Sequence, residues 1–206
     1  MRSLVIQAGG QSRRMGQDKA LLPFLGQPLI QRGIARLGHL ADEILVTTNH
    51  PENFTFLGLP LFPDIIPDRG ALSGLYTALH ASRHDTVLVV ACDMPFISPA
   101  LLGAQADLLE QGYDAVIPLG EGGTEPFHSV YRRSTCLELA LAAIQAEKWR
   151  VDAWFPQANI HFLNETEIQR LDPSGMSFWN VNTPAEFQRA EAIARQLDQG
   201  NNHEPE

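Results

Sequence analysis

Short apolar runs alternate with segments of helical period along most of this chain. SLVIQA (3–8), EILVTT (43–48), LPLF (59–62), TVLVVAC (86–92) and AVIPL (115–119) are bounded by breakers and rich in Val, Ile and Leu, which fits strands covered on both faces. Between them, LSGLYTALHAS (72–82) and ALLGAQADLLEQ (100–111) carry apolar residues three and four apart, so each predicts a helix that lays one face on a sheet. PLIQRGIARL (28–37) predicts another, with Pro28 suited to the first turn by its fixed φ. This alternation predicts an α/β fold on a mostly parallel sheet. After about residue 124 the pattern shifts. FHSVY (127–131) alternates as a strand, STCLELALAAIQAE (134–147) is an amphipathic helix opened by Ser134, and NIHFLN (159–164) is a short strand. A last helix is expected from TPAEF through RQL (183–197), and DQGNNHEPE (198–206) offers nothing to bury and is expected to fray as a disordered tail. With no repeat or linker, residues 1–197 are expected to form a single domain whose second half, from about 124, lies over the sheet's active edge.

Composition narrows what such a domain could do. The 206 residues are 44% hydrophobic and 19% charged, an ordinary globular balance. A formal charge of −9 opposes a phosphate backbone, and outside Arg13, Arg14 and Lys19 no basic patch is dense, so no nucleic-acid partner is expected. Cys92 and Cys136 lie far apart without metal-ligand spacing and read as buried thiols in a reducing compartment. The N-terminal apolar run is broken by Gln7 and two glycines, and no segment has transmembrane length. A cytoplasmic protein without membrane contact is expected.

The densest chemistry lies in VIQAGGQSRRMGQDKALL (5–22), where a strand runs directly into Gly9, Gly10, Ser12, Arg13, Arg14, Gly16 and Lys19. Glycines let consecutive backbone N–H groups turn toward phosphate oxygens, and Arg14 and Lys19 would add the charge that amides alone lack. The spacing is not a Walker A loop, since Lys19 follows Asp18 and precedes Ala20, and adjacent glycines do not make a dinucleotide fingerprint. A solvated turn would not require two arginines, a lysine and three glycines. Asp93 follows the TVLVVAC strand, and ligands collect at the carboxyl ends of parallel strands. Its carboxylate suits Mg²⁺, which often takes one or two protein carboxylates and leaves the rest of its shell to phosphates and water. The alternative for Asp93 is to cap the helix that begins near Ser98, although Ser98 is the better cap.

AGGQSRRMGQDKALLPFLGQPLI resembles the N-terminal signature of the nucleotidyltransferase-like superfamily, specifically the molybdenum cofactor guanylyltransferases. PDIIPDRGALSGLYTAL, VLVVACDMPFIS and FWNVNTPAEF follow in the family's order, so the resemblance spans nearly the whole chain. It implies the nucleotide-diphospho-sugar transferase fold, a three-layer sandwich with a Rossmann-like sheet, and a division into a nucleotide-binding half (about 1–123) and an acceptor-binding half (about 124–197). It implies nucleotide contacts at Gln7, Ala8, Gly9, Gly10, Lys19, Asp64 and Asp93, Mg²⁺ on Asp93, and a turn from Gly70 through Gly74 where base and backbone meet. The end of VTTN falls where members of the family contact guanine, with Thr47 and Asn49 both candidates; Asp68 and Arg69 read as solvated turn residues. Two positions depart from the family pattern: Gln7 replaces a usual leucine and Ala71 a common proline.

On the acceptor side, Glu125, His128, Tyr131, Asn180 and Asn182 are the polar residues available, and alternation across Val181 puts both asparagines on one face. Asn182 could also cap the helix at Thr183 and Pro184, and Thr183 could serve as well. The resemblance implies transfer of GMP from GTP to the phosphate of molybdopterin, with Lys19, Asp93 and Arg14 catalytic and no covalent intermediate. It also implies passing contact with a recipient molybdoenzyme or its chaperone. The alternatives are a cytidylyltransferase, a sugar-phosphate nucleotidyltransferase of the same fold, or a non-catalytic protein that binds nucleotide or delivers cofactor.

Overall fold

Alternate residues of the first strand feed opposite faces of a sheet. Leu4 and Ile6 join one buried cluster and Val5 another. The computed structural model describes residues 1–9, 18–67 and 69–200, with 199 and 200 by backbone alone. Along the chain run β1 (Arg2–Gln7), β2 (Pro23–Phe24), β3 (Gln27–Pro28), α1 (Leu29–Leu37), β4 (Glu43–Thr47), β5 (Leu61–Phe62), α2 (Gly70–Ala81) and β6 (Thr86–Ala91). They are followed by α3 (Pro99–Leu109), β7 (Ala115–Gly120), β8 (Gly123–Thr124), β9 (His128–Arg132), α4 (Arg133–Gln145), β10 (Ile160–Leu163), α5 (Glu165–Leu171) and α6 (Pro184–Gly200).

The main sheet has the order β10-β7-β9-β6-β1-β4-β5, with β8 paired to β7. Its pairings are parallel except around β9 and β8: β9 runs antiparallel to both β6 and β7, and β8 antiparallel to β7. One face carries α1, α3 and α5 through Ile30, Leu102, Leu109 and Ile168. The other carries α2 and α4 through Leu72, Leu75, Ala140 and Ile144, with Trp154 buried among them. A three-layer α/β/α sandwich results, as the family resemblance implies, on the mostly parallel sheet that the alternating pattern predicts. A third cluster joins α6 to the β2–β3 hairpin, where Phe187 meets the edge of Phe24 at 5.4 Å between ring centroids.

Several local expectations are corrected. Pro28 has an extended backbone and precedes α1, so it stands at the cap and not in the first turn. LPLF contributes only Leu61 and Phe62 to pairing, along an edge beside β4. Ser134 does not open α4; the helix starts at Arg133, and the Ser134 N–H donates to Asp85 Oδ1 at 2.7 Å, so a neighbouring loop supplies the cap. Gly70 and Gly74 belong to α2 and not to a free turn. Gly74 leaves room for the Gln7 side chain, because a Cβ there would meet Gln7 Oε1 at 3.3 Å. α6 continues three residues past Leu197 to Gly200. The pattern does not anticipate α5, which opens with a reciprocal Asn164–Glu167 capping box. No helix among the described residues is long and apolar enough to cross a membrane.

Candidate active site

The carboxyl ends of β1, β4 and β6 open on a cavity of about 840 Å³. Lys19 reaches it from a short turn, Lys19–Leu21, whose buried Ala20 donates its N–H to the Asp18 carboxylate at 3.0 Å. Burial raises the Asp18 carboxyl above its ordinary range, against that hydrogen bond and the nearby His50 and Lys19. From β6 the chain runs through Cys92, whose N–H donates to Gln7 O at 3.0 Å, into Asp93. The Asp93 carbonyl accepts from Val181 N–H at 3.0 Å, which fastens the returning C-terminal segment to the end of β6.

These anchors bring together groups that are remote in sequence. Lys19 Nζ lies 2.6 Å from Asp93 Oδ2 and 2.9 Å from Asn182 Oδ1. The Lys19 and Asp93 side chains are only 16% and 19% exposed, so their attraction is less screened than that of a surface pair. Asp93 does not cap the following helix, because Ser98 Oγ accepts from Leu101 N–H at 3.2 Å and fills that role. Nor does Asn182 cap α6: Thr183 Oγ1 accepts from Glu186 N–H, and the Glu186 carboxylate accepts from the N–H groups of Asn182 and Thr183.

Gln7, Ala8, Gly9, Lys19, Asp93 and Asn180 all line the cavity. Gln7 Nε2 is buried without a hydrogen-bond partner among the described residues. Thr47, Asn49 and Asp64 form the wall beyond β4. There Asn49 Nδ2 donates to Asp64 Oδ2, and the Asp64 N–H returns a bond to Asn49 Oδ1, both at 3.0 Å. Both candidates from the VTTN segment therefore face the same space. Asn182 is not among the residues that line the cavity and is tied to it through Lys19. Gly10 and Arg14, also expected in the site, lie outside the described residues, as do Ser12, Arg13, Gly16 and Asp68. Arg69 is exposed in the bend before α2, as expected, and lays its guanidinium over the Trp149 ring at 4.4 Å.

Asp18, Cys92 and Phe127 are among the wall residues that sequence reasoning passes over, as are His50 and Met94. The Asp18–Lys19 pair, adjacent to the glycine-rich run, is a readable signal for the first. Cys92 and Phe127 read as strand-end apolar positions, and only the sheet geometry turns them inward. His128 and Tyr131, expected on the acceptor side, are buried and stay out of the cavity: His128 packs edge-on against Phe178, and Tyr131 donates to Pro126 O at 2.6 Å. Among the described residues no three His, Cys, Asp or Glu side chains gather as a metal cage. Asp93 supplies one hard oxygen donor on the cavity wall, which suits a cation that keeps most of its shell for phosphate oxygens and water.

Comparison with known proteins agrees with this architecture. The MobA-like NTP transferase domain family matches residues 4–158. A probable molybdenum cofactor guanylyltransferase of Pelotomaculum thermopropionicum is 36% identical over 190 residues, covering 92% of each chain. The molybdenum cofactor guanylyltransferase of Desulfosudis oleivorans is 30% identical over 93% of this chain and 95% of its own. Among solved structures, molybdopterin-guanine dinucleotide biosynthesis protein A from Archaeoglobus fulgidus superposes with a TM-score of 0.80 at 23% identity, over 94% of this chain and 99% of that one. A CMP:2-keto-3-deoxy-manno-octonic acid synthetase in complex with CTP reaches 0.72 at 16%, over 95% and 99%, and shares the fold alone. With its sheet of the nucleotide-diphospho-sugar transferase type and its extended identity to these relatives, the chain belongs to the MobA-like NTP transferase family, as a nucleotidyltransferase grouped with the molybdenum cofactor guanylyltransferases.

Proposed function

We propose that this protein is a magnesium-dependent molybdenum cofactor guanylyltransferase that moves GMP from GTP to the terminal phosphate of molybdopterin and releases pyrophosphate. The observation that carries the reading is the meeting of Lys19, Asp93 and Asn182 within 2.9 Å at a cavity rimmed by the ends of β1, β4 and β6. The choice of guanine and pterin draws on the names of the relatives. In the reaction an acceptor phosphate oxygen forms a bond to the α-phosphorus of GTP. The bond from that phosphorus to the bridging oxygen breaks, and its electron pair leaves with pyrophosphate. The attacking oxygen is already anionic, so no general base is required.

The chain's contribution is position and charge. Gln7, Ala8, Gly9 and Gly10 bound the nucleotide, with Thr47, Asn49 and Asp64 on the base side. Lys19 exchanges its contact with Asp93 for phosphoryl oxygens, and Arg14 adds a second cation. Asn180 and Asn182 offer amides to the acceptor. Asp93 would hold Mg²⁺, which when bound neutralises charge on the phosphates. The test is pyrophosphate release with each of the four nucleoside triphosphates, with molybdopterin present and Mg²⁺ added or chelated. Release confined to GTP, acceptor and Mg²⁺ together is expected. Faster release with CTP, or tight GTP binding with no release, would sink the proposal.

A further inference from the structure

Glu125 sits just before β9, across β6 from Gln7 and Thr47 in the strand order, and it is one of the residues that line the cavity. Its main chain is fixed on three sides: its N–H donates to Pro118 O at 2.9 Å, and its carbonyl accepts from His128 N–H at 3.0 Å and from Ser129 Oγ at 2.6 Å. The carboxylate is accommodated by a glycine, since a Cβ at Gly120 would stand 2.9 Å from Glu125 Oε1. Among the described residues neither cation nor donor pairs with it, and burial alone pushes its carboxyl above the usual range. A held, half-buried anion on a cavity wall is costly unless a ligand brings donors to it.

The carboxylate has two acceptor oxygens, matched by a partner with two parallel N–H groups. A 2-amino-4-oxopyrimidine ring presents that pair, from its ring N–H and its exocyclic amine. Phe127 lines the same cavity and adds an aromatic residue to its wall. We infer that Glu125 is a specificity residue that reads the 2-amino-4-oxopyrimidine edge of a bound heterocycle, and its place across β6 from the nucleotide wall assigns that edge to the acceptor's pterin. The inference rests on the molybdopterin reading above. Guanine carries the same edge, so the experiment separates the two sources.

Glu125→Gln keeps the shape and removes the charge, and Gly120→Ala keeps the charge and displaces it. For each variant with an unchanged thermal midpoint, the KM for molybdopterin is measured at saturating GTP. The Kd values for GTP and for ITP, which lacks the 2-amino group, are measured without acceptor. A third arm follows the fluorescence of 6-hydroxymethylpterin against a lumazine, whose 2-amino group is replaced by oxygen. Glu125→Gln is expected to raise the molybdopterin KM by about ten-fold or more and to erase the pterin-over-lumazine preference, with GTP and ITP unaffected. Gly120→Ala shifts the same quantities in the same direction by less. Loss of the GTP-over-ITP preference instead would keep the edge chemistry and move it to guanine. Unchanged KM, Kd and both preferences would overturn the inference. If the unmodified protein releases no pyrophosphate from GTP, the guanylyltransferase reading has failed, and the pterin and ITP titrations still decide the role of Glu125.

Discussion

His128 is wholly buried on β9 against Phe178, with neither ring nitrogen partnered among the described residues. Burial lowers its pKa from 6.5 to about 4, against smaller opposing effects from the backbone and Asp172. The unfolded ring takes a proton once pH falls below about 6.5, whereas the folded ring resists until about 4. The unfolded chain therefore binds more protons across that window, and stability falls as pH drops through it, by on the order of 3 kcal/mol in all. Urea midpoints followed from pH 7 to pH 4 should show this slope in the native protein and a flatter one in His128→Leu; parallel slopes would refute it. Lys19 and Asp93 belong to the same scale. Lys19→Ala or Asp93→Ala should lower pyrophosphate release roughly a hundred- to a thousand-fold at saturating GTP and Mg²⁺. Each should change unfolding free energy by only about 1 kcal/mol, because the cavity admits water to the remaining charge. Both residues are legible in the sequence, one beside an unusual concentration of glycine and cation, the other at the end of an apolar strand. Their contact is not, because 74 positions separate them and only the sheet order brings β6 beside β1.

Among the elements, α4 shows how a helix start can be supplied from elsewhere. Asp85, in the loop before β6, accepts the Ser134 N–H, and its carbonyl accepts the Arg133 N–H at 2.7 Å. The hydrogen bonds from Ser134 and the charge of Arg132 outweigh burial and hold the Asp85 carboxyl below its ordinary range. Asp85→Ala should cost about 1 to 2 kcal/mol in chemical denaturation, and Ser134→Ala distinctly less. The reverse order would return the opening role to Ser134. Long strands and the faces of α2 and α3 are readable because their apolar periods match their burial. α5 escapes because seven residues give too little period, although its Asn164–Glu167 signature is present. The hairpin strands β2 and β3 are two residues each and fall below any pattern.

At the scale of the molecule, the chain closes its site from the far end. α6 packs Phe187, Ala190 and Ala194 over Phe24 and Leu29, and the segment ahead of it carries Val181 to Asp93 and Asn182 to Lys19. Phe187→Ala should destabilise by about 3 kcal/mol or more. It should also depress pyrophosphate release under conditions where the variant remains folded, since Asn182 loses its support; full activity in the folded variant would separate α6 from the site. The α/β class is visible in the alternation of runs, whereas this closure is a tertiary arrangement with no local signal. One consequence follows from the reversal of β9. The parallel strands deliver their final residues to the rim, but β9 delivers its first, because Val90 of β6 stands opposite His128. Side chains on the connection that feeds it, Glu125 and Phe127 among them, can therefore change their chemistry without moving the strand ends that carry Gln7 and Thr47 and lead into Asp93.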